Sequence, residues 1–173
     1  MKAIVCPLLC ILLVSLSAFV VFSSWKVKAG EATVKFSSGK IKGSFTGLNA
    51  EIVFDKEHPE QARISATIAA PSIATGFFLK NSHAKDALGA DKYPTIKFVS
   101  TSVIKSAGAY LAKGNLTMKG VTKPVTIYFT FDDKDNQGVF KGKLTVSPKD
   151  FGIDRNGTPD KVMVDLTVPV TKA

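Results

Sequence analysis

Few residues in this chain have side chains that could carry out catalysis or ligate a metal. Only two histidines are present, His58 and His83, so a catalytic triad or a multi-histidine metal site has little material. His58 precedes Pro59 in a polar turn, where we expect a solvated side chain. His83 lies in an irregular stretch, where a neutral imidazole could both donate to and accept from the polar head of a ligand. A hydrogen bond that pins this stretch to its neighbours is the alternative.

The other reactive residue types are also sparse. Cys6 and Cys10 lie in the apolar N-terminal stretch, and the rest of the chain has no thiol for a disulfide, a nucleophile or a zinc site. The aspartates of 132–135 resemble half of a calcium loop but lack its closing glutamate. Residues 120–123 form a turn between strands and no phosphate loop. For these reasons we expect no metal and no cofactor. We also expect no catalytic residue, because a lipid hydrolase or isomerase would depend on His83 alone.

The first 24 residues predict export. After Lys2, residues 3–22 carry no charge and are rich in Leu, Val, Ile and Phe, which is typical of a secretory signal peptide cut near Ser23 or Ser24. An uncleaved anchor is the alternative, because about twenty apolar residues just cross a bilayer. The predicted location is periplasmic or secreted, and the predicted folded domain spans residues 25–173.

The composition predicts one ordinary globular domain with a basic surface. The hydrophobic fraction of 45% and the charged fraction of 21% are ordinary for a globular protein and argue against disorder. The formal net charge is +9. Such a surplus favours anionic surfaces, either lipid head groups or nucleic acid. Export disfavours nucleic acid, so the remaining expectation is contact with a membrane surface.

Residues that alternate with a period of two dominate the chain after Trp25. The clearest case places Val125, Ile127, Phe129 and Phe131 on one face and Thr126, Tyr128 and Thr130 on the other. Turn residues separate the runs, which predicts an all-β antiparallel fold. The eight predicted strands lie near residues 26–37, 40–55, 62–70, 95–104, 109–118, 123–132, 138–147 and 160–170.

One stretch, residues 71–94, breaks the alternation and is too long for a plain loop. Residues such as Ala84 favour a short helix, which Asn81 or Thr75 could cap and which Gly89 could end. We predict that this helix lies across the mouth of a barrel, because eight strands that pair in sequence remove their exposed edges by closing.

The interior of such a barrel is either filled by its own side chains or hollow enough for one small ligand. Bulky phenylalanines share the predicted inward face with small residues that would leave room. These small residues are Gly43, Ala50, Ala66, Ala70, Ala112, Gly114 and Gly142. A hollow interior would have an almost entirely apolar wall and would suit a hydrocarbon-like ligand.

Several motifs, in this order and spacing, resemble a known family. They are Trp25, Gly43-Ser-Phe45-Thr-Gly47, Ile73-Ala-Thr75-Gly76, His83, Asp91-Lys-Tyr93-Pro94-Thr-Ile96-Lys-Phe98, Gly114-Asn-Leu116-Thr117, Gly120-Val-Thr-Lys-Pro124-Val125 and Asp150-Phe151-Gly152-Ile153. Together they identify the chain as similar to the YceI-like family of exported, lipocalin-like polyisoprenoid-binding proteins. The resemblance implies an eight-stranded antiparallel lipocalin-like barrel with one short helix near its mouth. It also implies an apolar tunnel for an isoprenoid chain, such as a quinone tail or a polyprenyl lipid.

This chain departs from the family pattern at three places near the predicted mouth. Pro148 stands where arginine is common in the family, and the pair Lys80-Asn81 stands where an arginine followed by an aspartate is common. Ala84 stands where leucine is common. These changes affect any salt bridge that would pin the helix. The helix is therefore expected to be held less tightly.

The predicted function is non-catalytic binding, storage or transport of a long-chain apolar lipid in the bacterial cell envelope, by a monomer or a homodimer. The alternative is a filled barrel that acts as an interaction or structural module through its basic surface. The predicted ligand-binding residues combine the inward aromatic positions with the positions that match the family. They are Phe36, Phe45, Phe54, Phe78, His83, Ile96, Phe98, Leu116, Val125, Phe129 and Phe131.

Overall fold

Alternating apolar side chains form long antiparallel strands in a computed structural model, which describes residues 23–39 and 41–173. The predicted export segment lies outside the described residues, apart from Ser23 and Ser24. The strands are β1 (Ser24–Val27), β2 (Thr33–Ser38), β3 (Ile41–Phe45), β4 (Asn49–Val53), β5 (Arg63–Ala69), β6 (Thr95–Ser106), β7 (Ala109–Met118), β8 (Val121–Lys134), β9 (Gln137–Val146) and β10 (Val162–Lys172). One α-helix, α1 (Phe78–Leu88), and 3-10 turns at Pro59–Gln61, Ala70–Ser72 and Pro148–Phe151 complete the described part.

These segments close into an antiparallel barrel with eight strand positions around its circumference, as the sequence predicts. The sheet order is β1-β4-β5-β6-β7-β8-β9-β10-β2-β3, and β10 also pairs with β1. β1 and β2 both pair with β10, so together they occupy one strand position of the barrel. β3 pairs with β2 and β4 pairs with β1, so β3 and β4 together occupy the next position. Closure satisfies the backbone groups that would otherwise lie along two exposed edges.

The two longest predicted strands, 26–37 and 40–55, are each interrupted by a bend, which corrects the sequence prediction. Gly30 lies in the first bend with φ +76°, and Gly47 lies in the second with φ +71°. Both values fall in the left-handed region that favours glycine. The apolar residues change phase at each bend, from odd positions such as Val27 and Phe45 to even positions such as Ile52. This shift by one residue is the sequence signal of the break, which the predicted strand bounds did not take into account.

The helix forms where it is predicted, but it begins differently. Gly89 follows α1 with φ 58°, and its N–H donates to the carbonyl groups of Lys85 and Asp86, which ends the helix as expected. The N-cap prediction is wrong, because Phe77 occupies that position and no side chain caps the helix. Asn81 instead lies inside the first turns, where its Oδ1 accepts hydrogen bonds from the preceding loop.

Six aromatic rings fill one end of the barrel and are called the aromatic plug: Trp25, Phe54, Tyr110, Phe129, Phe131 and Phe140. Phe54 is 1% exposed and lies at their centre, with ring centroids of four neighbours between 4.9 and 5.5 Å away. The indole Nε1–H of Trp25 donates to the Phe54 carbonyl oxygen at 3.0 Å. This end of the barrel therefore has a conventional packed core.

A second cluster packs the end of α1 onto the opposite rim. Leu88, Ala90, Met118 and Phe151 are buried there, together with Ile73 from the segment before the helix. This cluster fixes the helix beside the barrel opening. The two clusters lie at opposite ends of the fold, with the central part of the barrel between them.

The aromatic plug predicts a large stability loss on removal of its central ring. Phe54→Ala should lower the free energy of unfolding by about 3–5 kcal/mol, because the cavity it creates cannot collapse between fixed strands. Tyr128→Ala is the control: this side chain is 60% exposed, and its loss should change stability by less than about 0.5 kcal/mol. Equilibrium urea denaturation measures both, and equal effects would contradict the central role of Phe54.

Candidate ligand-binding cavity

A cavity of about 860 Å³ occupies the barrel between the aromatic plug and α1. Strands β9 and β10 supply one side of its wall through four directly opposed pairs of inward residues. These pairs are Val146 with Val162, Leu144 with Val164, Gly142 with Leu166, and Phe140 with Val168. The seven residues of β10 from Val162 to Val168 give this wall a length of about 20 Å. Phe129 and Phe140 belong to both the plug and the lining, so the plug forms the cavity floor.

Small residues create much of this space, as the sequence predicts. Ala50 and Ala66 lie opposite each other on β4 and β5, and both line the cavity. Ala112 and Gly142 line it from β7 and β9. Because larger aliphatic residues at these positions would fill a barrel of eight strands, their small size keeps the interior open.

Gly43 and Gly114 are small for a different reason, which corrects the expectation that they leave room for a ligand. A Cβ atom at Gly43 would collide with the carbonyl oxygen of Ala74 and lie 2.5 Å from Cζ of Phe36. One at Gly114 would collide with the carbonyl oxygen of Val99 and lie 2.7 Å from ring atoms of Phe98. Each ring therefore lies flat over the glycine of the neighbouring strand. Ala70, also predicted to leave room, is 1% exposed and packs in the cluster under α1.

The mouth of the cavity is formed by α1, by the beginning of β3 and by the loop 155–159. From α1, Lys80, His83, Ala84 and Ala87 line it. The segment before the helix is joined to β3 by two hydrogen bonds of 2.8 Å between the backbones of Ser44 and Ala74.

Two side chains fasten the helix at the mouth. Asn81 Oδ1 accepts hydrogen bonds from the Thr75 backbone N–H at 2.6 Å and from its hydroxyl group at 2.8 Å. The Arg155 guanidinium donates to the Asp86 carbonyl oxygen at 3.1 Å. These hydrogen bonds hold the helix to the loops on either side of the mouth.

Charge is confined to one end of the cavity and has one sign. Among the described residues that line it, the ionisable ones are Lys42, Lys80, His83 and Arg155, and there is no aspartate or glutamate. All four lie at the mouth and are exposed. The arrangement is an apolar pocket whose opening carries positive charge, which suits a molecule with a hydrocarbon body and a polar or anionic end.

The groups whose pKa is shifted lie outside the cavity lining. A hydrogen bond from Lys56 to Asp133 raises the pKa of that lysine. Lys149 and Asp160 form an exposed pair at 2.9 Å, in which the hydrogen bond raises the pKa of the lysine and lowers that of the aspartate. These pairs are surface contacts and contribute no acid–base group to the cavity.

Seven of the eleven predicted ligand-binding residues line the cavity: Phe36, Phe45, His83, Ile96, Phe98, Leu116 and Phe129. The other four lie elsewhere. Phe54 and Phe131 are buried in the aromatic plug, and Phe78 is 85% exposed at the start of α1. Val125 is half-buried against the core cluster that contains the plug and also borders a second groove at β7 to β10. Alternation identifies which side chains of a strand face inward, but it does not give their position along the barrel axis. That position decides whether an inward residue belongs to the aromatic plug or to the cavity wall.

Sequence reasoning missed two groups of lining residues. The aliphatic wall, including Ile127, Leu144, Val164 and Leu166, carries the same alternation signal as the phenylalanines and could have been included. Lys42 and the loop 155–159 carry no pattern that separates them from ordinary surface residues. Only the fold brings them to the mouth.

Metal-ligating residues do not cluster within residues 23–39 and 41–173, where no group of three or more His, Cys, Asp or Glu side chains is placed to hold a metal ion. In the same ranges, no helix has the length and apolar character needed to cross a bilayer.

A family model described as YceI-like domain matches residues 25–172. A UPF0312 protein of Pseudomonas savastanoi pv. phaseolicola is 38% identical over 138 residues, which cover 74% of this chain and 71% of the relative. A UPF0312 protein of Yersinia enterocolitica is 31% identical over 138 residues, covering 75% and 72%.

Solved structures share the fold. Burkholderia cenocepacia BcnA matches with a TM-score of 0.79 and 24% identity, covering 84% of this chain and 99% of that one. A polyisoprenoid binding domain from Saccharophagus degradans matches with a TM-score of 0.63 and 13% identity, covering 86% and 98%. At these identities the likeness is one of fold.

The contact between Asn81 and Thr75 predicts how firmly the mouth is held. Asn81→Ala removes the acceptor of two hydrogen bonds, so amide hydrogen exchange in residues 78–88 should accelerate by about fivefold to tenfold. Ser82→Ala, an exposed change on the same helix, is the matched control and should leave exchange unaltered. Exchange followed by mass spectrometry measures both, and unchanged rates in Asn81→Ala would rule out this fastening.

Proposed function

The chain belongs to the YceI-like family, as its motifs predict, and we propose that its barrel binds a long-chain apolar lipid of the polyisoprenoid type without transforming it. Storage or transport of this lipid in the bacterial cell envelope would be its role. An isoprenoid quinone and a polyprenyl lipid are both members of the proposed ligand class.

The observation that carries this proposal is the largely apolar cavity of about 860 Å³ with ionisable groups only at its mouth. Such a wall cannot satisfy buried polar atoms, so it selects a ligand whose inner part is hydrocarbon. Burial of apolar surface contributes roughly 25 cal/mol per Å², which for a long chain exceeds the cost of ordering a flexible tail. The tail would lie towards the plug and the head at α1.

The neighbouring structure from Saccharophagus degradans supports the choice of ligand class. That protein is described as a polyisoprenoid binding domain, and its fold is similar to this one. The envelope location rests on the predicted export segment of residues 1–24 and on the basic surface. The predicted monomer or homodimer stays a prediction.

A binding role also fits the chemistry of the lining. General acid–base or nucleophilic catalysis needs a base paired with an acid or nucleophile within hydrogen-bonding reach. The described lining offers lysines, an arginine and His83, with no carboxylate or thiol to pair with them. We therefore propose that the ligand enters and leaves chemically unchanged.

The second candidate function, a filled barrel that binds envelope partners through its basic surface, has one observation in its favour. The aromatic plug packs one end of the barrel with buried rings. The cavity between plug and mouth argues against the same description for the rest of the interior.

Lipid analysis tests the proposed function directly. Protein produced in a bacterial host that makes isoprenoids should retain a bound lipid in native mass spectrometry, and organic extraction should release it unmodified. Phe54→Leu, a milder change in the plug, is a control that should still carry lipid. An empty protein that also fails to take up polyprenyl lipid or quinone in vitro would exclude this function.

Filling the cavity separates the two candidate functions. Ala66→Phe should reduce affinity for an apolar probe or lipid by about tenfold or more, because the new ring occupies space that the ligand needs. Stability should change by less than about 1 kcal/mol, whereas overpacking a filled core costs about 1–3 kcal/mol.

Ala69→Phe is the matched control for this substitution. Ala69 lies on the same strand but is exposed, so its replacement should alter neither binding nor stability. Fluorescence titration and urea denaturation measure the two quantities. Normal binding with strongly reduced stability in Ala66→Phe would favour the filled-barrel module.

A further inference from the structure

Three consecutive large apolar side chains project into solvent at the start of α1. Phe77 is 67% exposed, Phe78 85% and Leu79 70%, and we call these three residues the apical patch. In the described part of the chain, the other exposed large apolar residues are isolated along the sequence, at Ile41, Val99, Ile104, Tyr128 and Met163. Exposed single residues need no explanation, but a contiguous aromatic group marks a contact surface.

Folding does not account for the apical patch. α1 is fixed to the barrel by Leu88 and by the contacts of Asn81 and Asp86, none of which involves Phe78 or Leu79. Hydrophilic residues at these two positions would keep every one of those contacts. The patch therefore suits a partner outside the chain.

The patch borders the entrance of the cavity. Phe77 is both exposed and part of the lining, followed on the same helix by Lys80, His83 and Ala84. Across the opening, Ile41 on β3 is 40% exposed and also lines the cavity. Whatever covers the patch would face the opening through which a ligand enters.

The charges around the patch identify its partner. Lys42, Lys80 and Arg155 surround the mouth, and the described lining contains no acidic side chain. Asp86 and Asp154 lie close to Arg155 along the chain or in space, but among the described residues neither forms a salt bridge with it. The Lys80 ammonium lies 5.0 Å from the centroid of the Phe77 ring. Exposed aromatic and leucine side chains beside lysine and arginine are the composition of segments that lie in the interface of an anionic bilayer.

A protein partner fits less well. A stable interface buries about 800 Å² on each partner, and three side chains on one helix end supply much less. A bilayer needs no such area, because it accepts a few inserted side chains and adds attraction from every nearby cation.

We infer that the apical patch inserts into the surface of an anionic phospholipid bilayer, so that the mouth of the cavity opens onto the membrane. Lys42, Lys80 and Arg155 then lie against the phosphate groups, and an apolar chain can pass between bilayer and barrel with little exposure to water. The inference rests on the proposed function, since it assigns the membrane as the place where the lipid is exchanged.

Vesicle binding by the full chain, purified from the envelope of an expressing bacterium, tests the inference. The vesicles are phosphatidylcholine with and without phosphatidylglycerol. Binding should require phosphatidylglycerol, and the triple variant Phe77→Ser, Phe78→Ser, Leu79→Ser should bind at least about tenfold more weakly. Lys80→Ala alone should weaken binding about fivefold.

A matched variant carries the same number of changes elsewhere on the surface: Ile104→Ser, Tyr128→Ser and Met163→Ser. It should bind vesicles like the unmodified chain. All proteins share one N-terminus, so any contribution of residues 1–22 cancels. Equal binding by the apical and control variants would overturn the inference. An apical variant with altered oligomeric state in analytical ultracentrifugation but normal vesicle binding would instead identify a protein interface and also overturn it.

The depth of insertion gives a second readout that does not depend on binding strength. Phe78→Trp should show quenched fluorescence with vesicles that contain brominated lipid, whereas Tyr128→Trp should not. Buried Trp25 supplies the same background in both. Absence of quenching at position 78 would overturn the inference. Mass spectrometry of the double variant Phe78→Ser, Leu79→Ser, which keeps every lining residue, should still find bound lipid. Absence of lipid from the unmodified chain would count against the proposed function alone.

Discussion

The rings around Phe54 close one end of the barrel, and the rest of the structure depends on this packing. Phe54 makes edge-to-face contacts with four neighbouring rings, and its carbonyl oxygen accepts a hydrogen bond from Trp25. These contacts join residues from five of the eight strand positions of the barrel. Aromatic pairs in such geometry contribute beyond their buried area. Because so much apolar surface is buried at one end, the remainder of the interior need not be filled to keep the strands closed.

The hollow part has its own construction. Alanines at 50, 66 and 112 keep side chains short, while Gly43 and Gly114 let the rings of Phe36 and Phe98 lie flat against neighbouring strands. The wall is therefore thin and apolar. An apolar cavity of this size is a cost to the empty protein, since its lining lacks partner atoms on one side. A hydrocarbon ligand supplies those atoms, which connects the architecture to the proposed function.

The ionisable groups of the lining occur only where the cavity meets solvent, which favours one orientation for a bound molecule with a polar end. The mouth is also the place where the structure exposes the apical patch on a helix fastened by Asn81 and Arg155. The same short helix thus borders the cavity, holds positive charge and presents aromatic side chains outward. Plug, wall and mouth follow one another along the barrel axis.

The sequence by itself determined the strands, the antiparallel pairing, the closure, the family and the helix that ends at Gly89. Each depends on local periodicity or on motifs read in order. It also identified Ala50, Ala66 and seven lining residues, because alternation assigns a side chain to one face. The tertiary structure decided what alternation cannot express, namely the height of each inward residue along a closed barrel. Phe54 and Phe131 lie in the plug, Phe78 lies outside, and Lys42 and Arg155 meet at the mouth, because closure brings together positions far apart in the chain.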